Sequence, residues 1–95
     1  MSKANELKTK RQETINRWRK EYEQEVKSCL DEAESFAIKH PYDEKCIIRR
    51  KNMTEEFRVA LYEACKEKDM VAVFRCFGRI EIWFDVVDYM ATYMW

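Results

Sequence analysis

Residues 70–86, Met70-Val-Ala-Val-Phe-Arg-Cys-Phe-Gly-Arg-Ile-Glu-Ile-Trp-Phe-Asp-Val86, admit two foldings, and the choice between them decides the architecture. Every even position of the stretch is uncharged, whereas Arg75, Arg79, Glu81 and Asp85 are all odd. A period of two is the mark of half-buried strands, here turning near Gly78. A helical period is present as well, because Val73, Phe77, Ile80, Phe84, Val87, Ala91 and Met94 recur every three or four residues. Asp69 then reads as a helix N-cap, and Gly78 inside the helix costs only about 1 kcal/mol relative to Ala. The helix is the preferred reading, over residues 70–94, with a short hairpin at about 70–86 as the alternative.

A helix there is apolar nearly all round, since its opposite face carries Val71, Ile82, Val86, Tyr89 and Tyr93. It needs cover on two sides, which points to self-association or to a partner protein. The aromatic run Tyr89-Met-Ala-Thr-Tyr-Met-Trp95 either docks into a partner's groove or closes the domain's own core, and on the first reading Trp83, Tyr89, Tyr93 and Trp95 are the candidate partner anchors.

Upstream, nothing interrupts a helix from Ser2 to His40, and Ile15, Trp18, Tyr22, Val26, Cys29, Ala33 and Ala37 form its apolar stripe. The long helix is placed at 15–40, ended by Pro41, with residues 1–14 as a projecting or frayed basic start. Residues 42–51 form a connector in which Cys46 to Arg49 suit an extended conformation. Asn52, with Glu55 three positions on, resembles a capping box, and Phe57, Ala60, Leu61, Ala64 and Cys65 set a second helix over 53–66. With one Gly and one Pro in 95 residues, a turn-rich all-β fold is disfavoured. The expected fold is therefore a single all-α domain of one long N-terminal helix plus two further helices.

Charge is abundant but balanced, with 18 basic and 18 acidic side chains, so any field must be regional. The first twenty residues carry seven cations against Glu6 and Glu13. Lys8, Lys10, Arg11, Arg17, Arg19 and Lys20, with Trp18 for stacking, are the candidate nucleic-acid contacts. The following stretch to Lys45 is acidic by a similar amount, which suits antiparallel pairing of two copies. Arg49, Arg50 and Lys51 make a compact basic triplet fit for a phosphate or an acidic protein surface.

Signs of catalysis are few. Glu81, Asp85 and Asp88 share a helical face at i, i+4 and i+7, a spacing open to a divalent cation, yet no His, Lys or hydroxyl accompanies them. His40 is the one histidine, and the single Gly excludes a nucleophile elbow or a Gly-rich phosphate loop. The four cysteines match no zinc spacing and read as free thiols, with Cys29, Cys65 and Cys76 on or beside apolar stripes. No secretory signal or membrane span is recognisable, so a cytoplasmic location is expected. The functional expectation is a small non-catalytic protein-binding regulator, adaptor or inhibitor, homo-oligomeric and without metal or cofactor. The alternative is a nucleic-acid-binding regulator acting through the basic N-terminal helix.

Overall fold

The computed structural model describes residues 2–93 and shows a mixed α+β architecture. Helices α1 (Lys3–Glu21), α2 (Glu23–Lys39) and α3 (Glu55–Glu67) lie on one side of a three-stranded antiparallel sheet. Its strands are β1 (Lys45–Arg49), β2 (Val71–Phe74) and β3 (Arg79–Trp83), in the order β1-β3-β2. Helix α4 (Val86–Tyr93) crosses the other face. No helix among the described residues is long and apolar enough to cross a membrane.

The all-α expectation is overturned in the stretch that decided it. Over 70–83 the backbone follows the period of two, and the helix expected over 70–94 is replaced by β2, a three-residue turn (Cys76–Gly78), β3 and the short α4. The register sets Cys46 opposite Ile82 and Ile48 opposite Ile80, with Ala72 and Phe74 flanking from the other side. Cys46, Ile48, Ala72, Ile80 and Ile82 are buried against Val26, Cys29, Ala33, Phe57, Leu61 and Cys65 of the helices. The alternate residues Lys45, Ile47, Arg49, Arg79, Glu81 and Trp83 turn to the outer face.

Two local devices explain why strands win. Asp69, read as an N-cap, in fact ends α3. It sits in the left-handed region at φ 58°, where its N–H donates to the Lys66 carbonyl at 3.1 Å and the Met70 N–H to the Cys65 carbonyl at 2.9 Å. This is a Schellman closure with Asp in the position that usually holds Gly. At the other end, Gly78 (φ 74°) lies so close to β1 that a Cβ would stand 2.1 Å from the Arg50 carbonyl oxygen. The Arg50 N–H donates to the Gly78 carbonyl at 2.8 Å, so the turn continues the β1–β3 ladder.

The helix read over 15–40 is divided at Tyr22, whose φ of −106° and ψ of 20° leave the helical region. The break turns the Tyr22 ring toward Phe57, 6.0 Å between centroids, and its hydroxyl accepts from Thr54 Oγ1 at 3.0 Å. It lets α1 follow α3 while α2 covers β1 and α3. Thr54, rather than Asn52, caps α3 by accepting from the Phe57 N–H at 3.1 Å, and Asn52 takes a left-handed φ of 55°. Residues 3 to 13 of α1 are helical and exposed throughout.

Gly78→Ala forces a Cβ into the Arg50 backbone at a positive φ. A loss of about 2–4 kcal/mol is expected in urea unfolding, since strain and steric displacement add. A change below about 0.5 kcal/mol contradicts this packing of the turn on β1.

Candidate functional site

The outer face of the sheet gathers charge that the sequence scatters. Glu81, central on β3, is 3% exposed. Its Oε2 accepts from Arg79 Nη2 at 3.0 Å and Arg75 Nε at 3.4 Å, and its Oε1 lies 3.4 Å from Trp83 Nε1 and 3.6 Å from Lys45 Nζ. Burial pushes this carboxyl upward, but the charges of Lys45 and Arg75 and the indole N–H more than offset it, holding Glu81 below the usual carboxylate range. One carboxylate thus organises three cations, and Arg79 Nε is buried with no hydrogen-bond partner among the described residues.

Further cations surround this group. Arg49 pairs in register with Arg79 across β1 and β3, and it is exposed. Lys51 and Arg58 line the next groove with Phe77 and Gly78. Arg49, Lys51 and Arg58 form no ion pair among the described residues, whereas Arg50 turns to α2 and holds Glu32 at 2.8 Å and Ser28 at 3.3 Å. At the opposite end of the sheet stand Asp43, Glu44, Asp69, Asp85 and Asp88, drawn together where the Phe84 N–H meets the Glu44 carbonyl and the Val86 N–H that of Asp69. The balanced net charge therefore conceals a basic end and an acidic end.

Phe77 tips the basic end. It is 97% exposed and left-handed, at φ 61° and ψ 35°, a conformation costing a non-Gly residue about 1–2 kcal/mol. An aromatic held in that conformation and bared to solvent has no packing role that accounts for it. The groove beside it is lined by Lys45, Arg49, Arg75, Arg79 and Tyr93, together with the carboxylate Glu81. The Arg75 guanidinium donates from Nη2 to the Tyr93 hydroxyl at 3.0 Å and lies 5.8 Å from its ring centroid.

The aromatic candidates fare differently. Trp83 is 3% exposed, covered by Tyr89 at 5.7 Å and Tyr93 at 5.9 Å in edge-to-face contact, with Lys45 Nζ 4.8 Å from its ring centroid. It anchors α4 to its own sheet. Tyr89 is half-buried, Tyr93 is partly exposed, and Trp95 lies outside the described residues. A helix apolar on every side was the reason to expect a second copy; in its place stands a hairpin covered by helices on one face and in part by α4 on the other, with Ile47, Val87 and Met90 exposed. In the N-terminal set, Lys8, Lys10, Arg11, Arg17 and Lys20 are exposed, but Trp18 is half-buried in a groove it lines with Ile15, Val59, Tyr62 and Phe74, and Arg19 is ion-paired with Glu67.

Glu81, Asp85 and Asp88 do not share a face: they belong to β3, the turn after it and α4, and Asp85 Oδ1 accepts from the Val87 N–H at 2.8 Å. No group of three or more metal-binding side chains occurs among the described residues. Cys29, Cys46 and Cys65 are buried free thiols, and burial pushes Cys65 up to about 12. Cys76, expected on an apolar stripe, is exposed in the turn beside Phe77. The residues missed from the sequence are Lys45, Arg58, Arg75, Phe77 and Arg79. For Arg75 and Arg79 the signal was the run of odd charged positions on a hairpin, whereas Lys45 on β1, Arg58 on α3 and the uncharged Phe77 carried none.

Because Glu81 titrates below its unfolded value, its contribution is present at neutral pH and is lost as pH falls through that lowered value. Glu81→Gln should cost about 1–3 kcal/mol at pH 7, the partners being partly solvated, and the difference from the unaltered chain should close on acidification below the ordinary Glu range. Urea titrations at pH 7 and pH 3 measure it, and an equal difference at both refutes the charge assignment. Comparison of the chain with protein-family models, curated proteins and solved structures gives no match.

Proposed function

We propose that this chain acts by binding, as a small regulator or adaptor that holds an anionic macromolecule against the basic end of its sheet. The observation that carries the reading is the concentration of cations around the single buried carboxylate Glu81, with Arg49, Lys51 and Arg58 unpaired beside them among the described residues. Cations already held by a buried anion are pre-organised, so less side-chain freedom is lost when a second anion arrives. Four free thiols fit a reducing cytoplasm.

A protein partner is the second reading, favoured by the outward side of α4, where Val87 is 66% and Met90 46% exposed. Val87→Asp would weaken such a contact and leave anion binding intact.

Retention on immobilised heparin tests the first reading. The chain should be retained and elute with salt, and Arg49→Ser with Lys51→Ser should move elution to markedly lower salt, because each lost contact reduces ion release on binding. The matched pair Lys8→Ser with Lys10→Ser should move it less. The reverse order would transfer the site to the N-terminal helix, and failure of the unaltered chain to bind would refute the reading.

A further inference from the structure

We propose that the groove between Phe77 and Tyr93 is a binding site for single-stranded nucleic acid, with Phe77 as a stacking platform for a base and Arg49, Arg75 and Arg79 directed at phosphates. The proposal rests on reading the basic end as an anion-binding surface, and it names the anion.

Three observations carry it. Phe77 is 97% exposed in a left-handed conformation, yet it is not loose. The turn is closed by the Arg75 N–H on the Arg79 carbonyl at 2.9 Å and backed onto β1 where Gly78 meets Arg50. A ring presented on a braced backbone loses little freedom when something stacks on it.

The second observation is the kind of cation. Five of the chain's eight arginines lie at this end: Arg50 is turned to Glu32 and Arg75 and Arg79 are held by Glu81, which leaves Arg49 and Arg58 without an ion pair among the described residues. A guanidinium matches the planar fork of a phosphate and also stacks on bases, which an ammonium does not. Arg79 is held in place by its Nη2 on Glu81 Oε2 at 3.0 Å, and its side chain stays partly exposed.

The third is the juxtaposition of groups. Phe77 and Tyr93 line the same groove as Arg49, Arg75 and Arg79, and the Arg75 guanidinium lies 5.8 Å from the Tyr93 ring centroid, so planar faces and positive charge share one surface. An alternation of bases and phosphates is the ligand that meets both needs, and base–aromatic stacking accepts any base. A duplex keeps its bases stacked internally, and a polypeptide of Asp and Glu alone offers charge but no planar face to Phe77. An anionic membrane would suit a bare Phe on a convex basic tip better than a groove with a second aromatic in its lining.

The test is fluorescence anisotropy of a labelled twelve-nucleotide oligothymidylate titrated with the full chain over a salt series. Binding should weaken steeply with salt, and Arg49→Gln should reduce the salt slope by about one. Phe77→Asn removes the ring while placing at this position a residue that favours the left-handed backbone, so the variant should fold as well as the parent by thermal circular dichroism. It should weaken oligonucleotide binding about tenfold with the salt slope unchanged, as expected for one lost stack. Equal affinity of Phe77→Asn and parent overturns the proposal. So does a preference for the same sequence as a duplex, for polyglutamate or for phosphatidylserine vesicles. Heparin retention without oligonucleotide binding would overturn this inference and leave the anion-binding reading standing, whereas loss of both would remove both.

Discussion

Strand β3 is paired along both edges, and everything else in the fold is placed by it. Its two inward side chains, Ile80 and Ile82, are fully buried and complete the core that α2 and α3 cover. Its outward side chains, Glu81 and Trp83, are buried from the opposite side, one beneath cations and the other beneath α4. A central strand buried on both faces normally reads as a continuous apolar run. Here a carboxylate interrupts it, and the cost of taking that charge out of water is offset by Lys45, Arg75, Arg79 and the Trp83 indole.

From this follows the segregation of charge. Because β1 and β2 both run antiparallel to β3, the C-terminal ends of the two edge strands and the start of the central one meet at one end of the sheet. The basic residues after β1, after β2 and at the start of β3 are thereby brought together from positions far apart in the chain, while the acidic loops before β1 and β2 gather with the start of α4 at the other end. The strand ends on the edge are blunted by the same charges: Lys45 and Arg49 on β1 discourage pairing with another sheet.

Much of the helical layer was legible from residue spacing. Ile15, Val26, Cys29 and Ala33 on one stripe, and Phe57, Ala60, Leu61, Ala64 and Cys65 on another, are buried. The hairpin was legible only as the alternative to a helix, because a stretch this apolar satisfies periods of two and of 3.6 at once. Asp69 then tipped the reading toward helix: the same side chain that caps a helix start also tolerates the left-handed conformation that ends one. The aromatic C-terminal segment was read as a surface for others because only the sheet reveals Trp83 as its local partner. Of the basic end, the triplet Arg49 to Lys51 was visible as a run. Its companions Arg75 and Arg79 were not, and nothing local ties Lys45, at the other end of β1, to a carboxylate thirty-six positions later.

The turn at the tip of the hairpin also sets apart one sulfur from three. Cys29, Cys46 and Cys65 lie inside the core, where burial holds each thiol in its protonated, unreactive form. Cys76 stands in solvent beside Phe77. An alkylating reagent therefore meets one site in the folded chain and three more only when the core opens. Stoichiometry of modification becomes a clock for opening of the core, and a dye carried by the first site reports from the side of the groove itself.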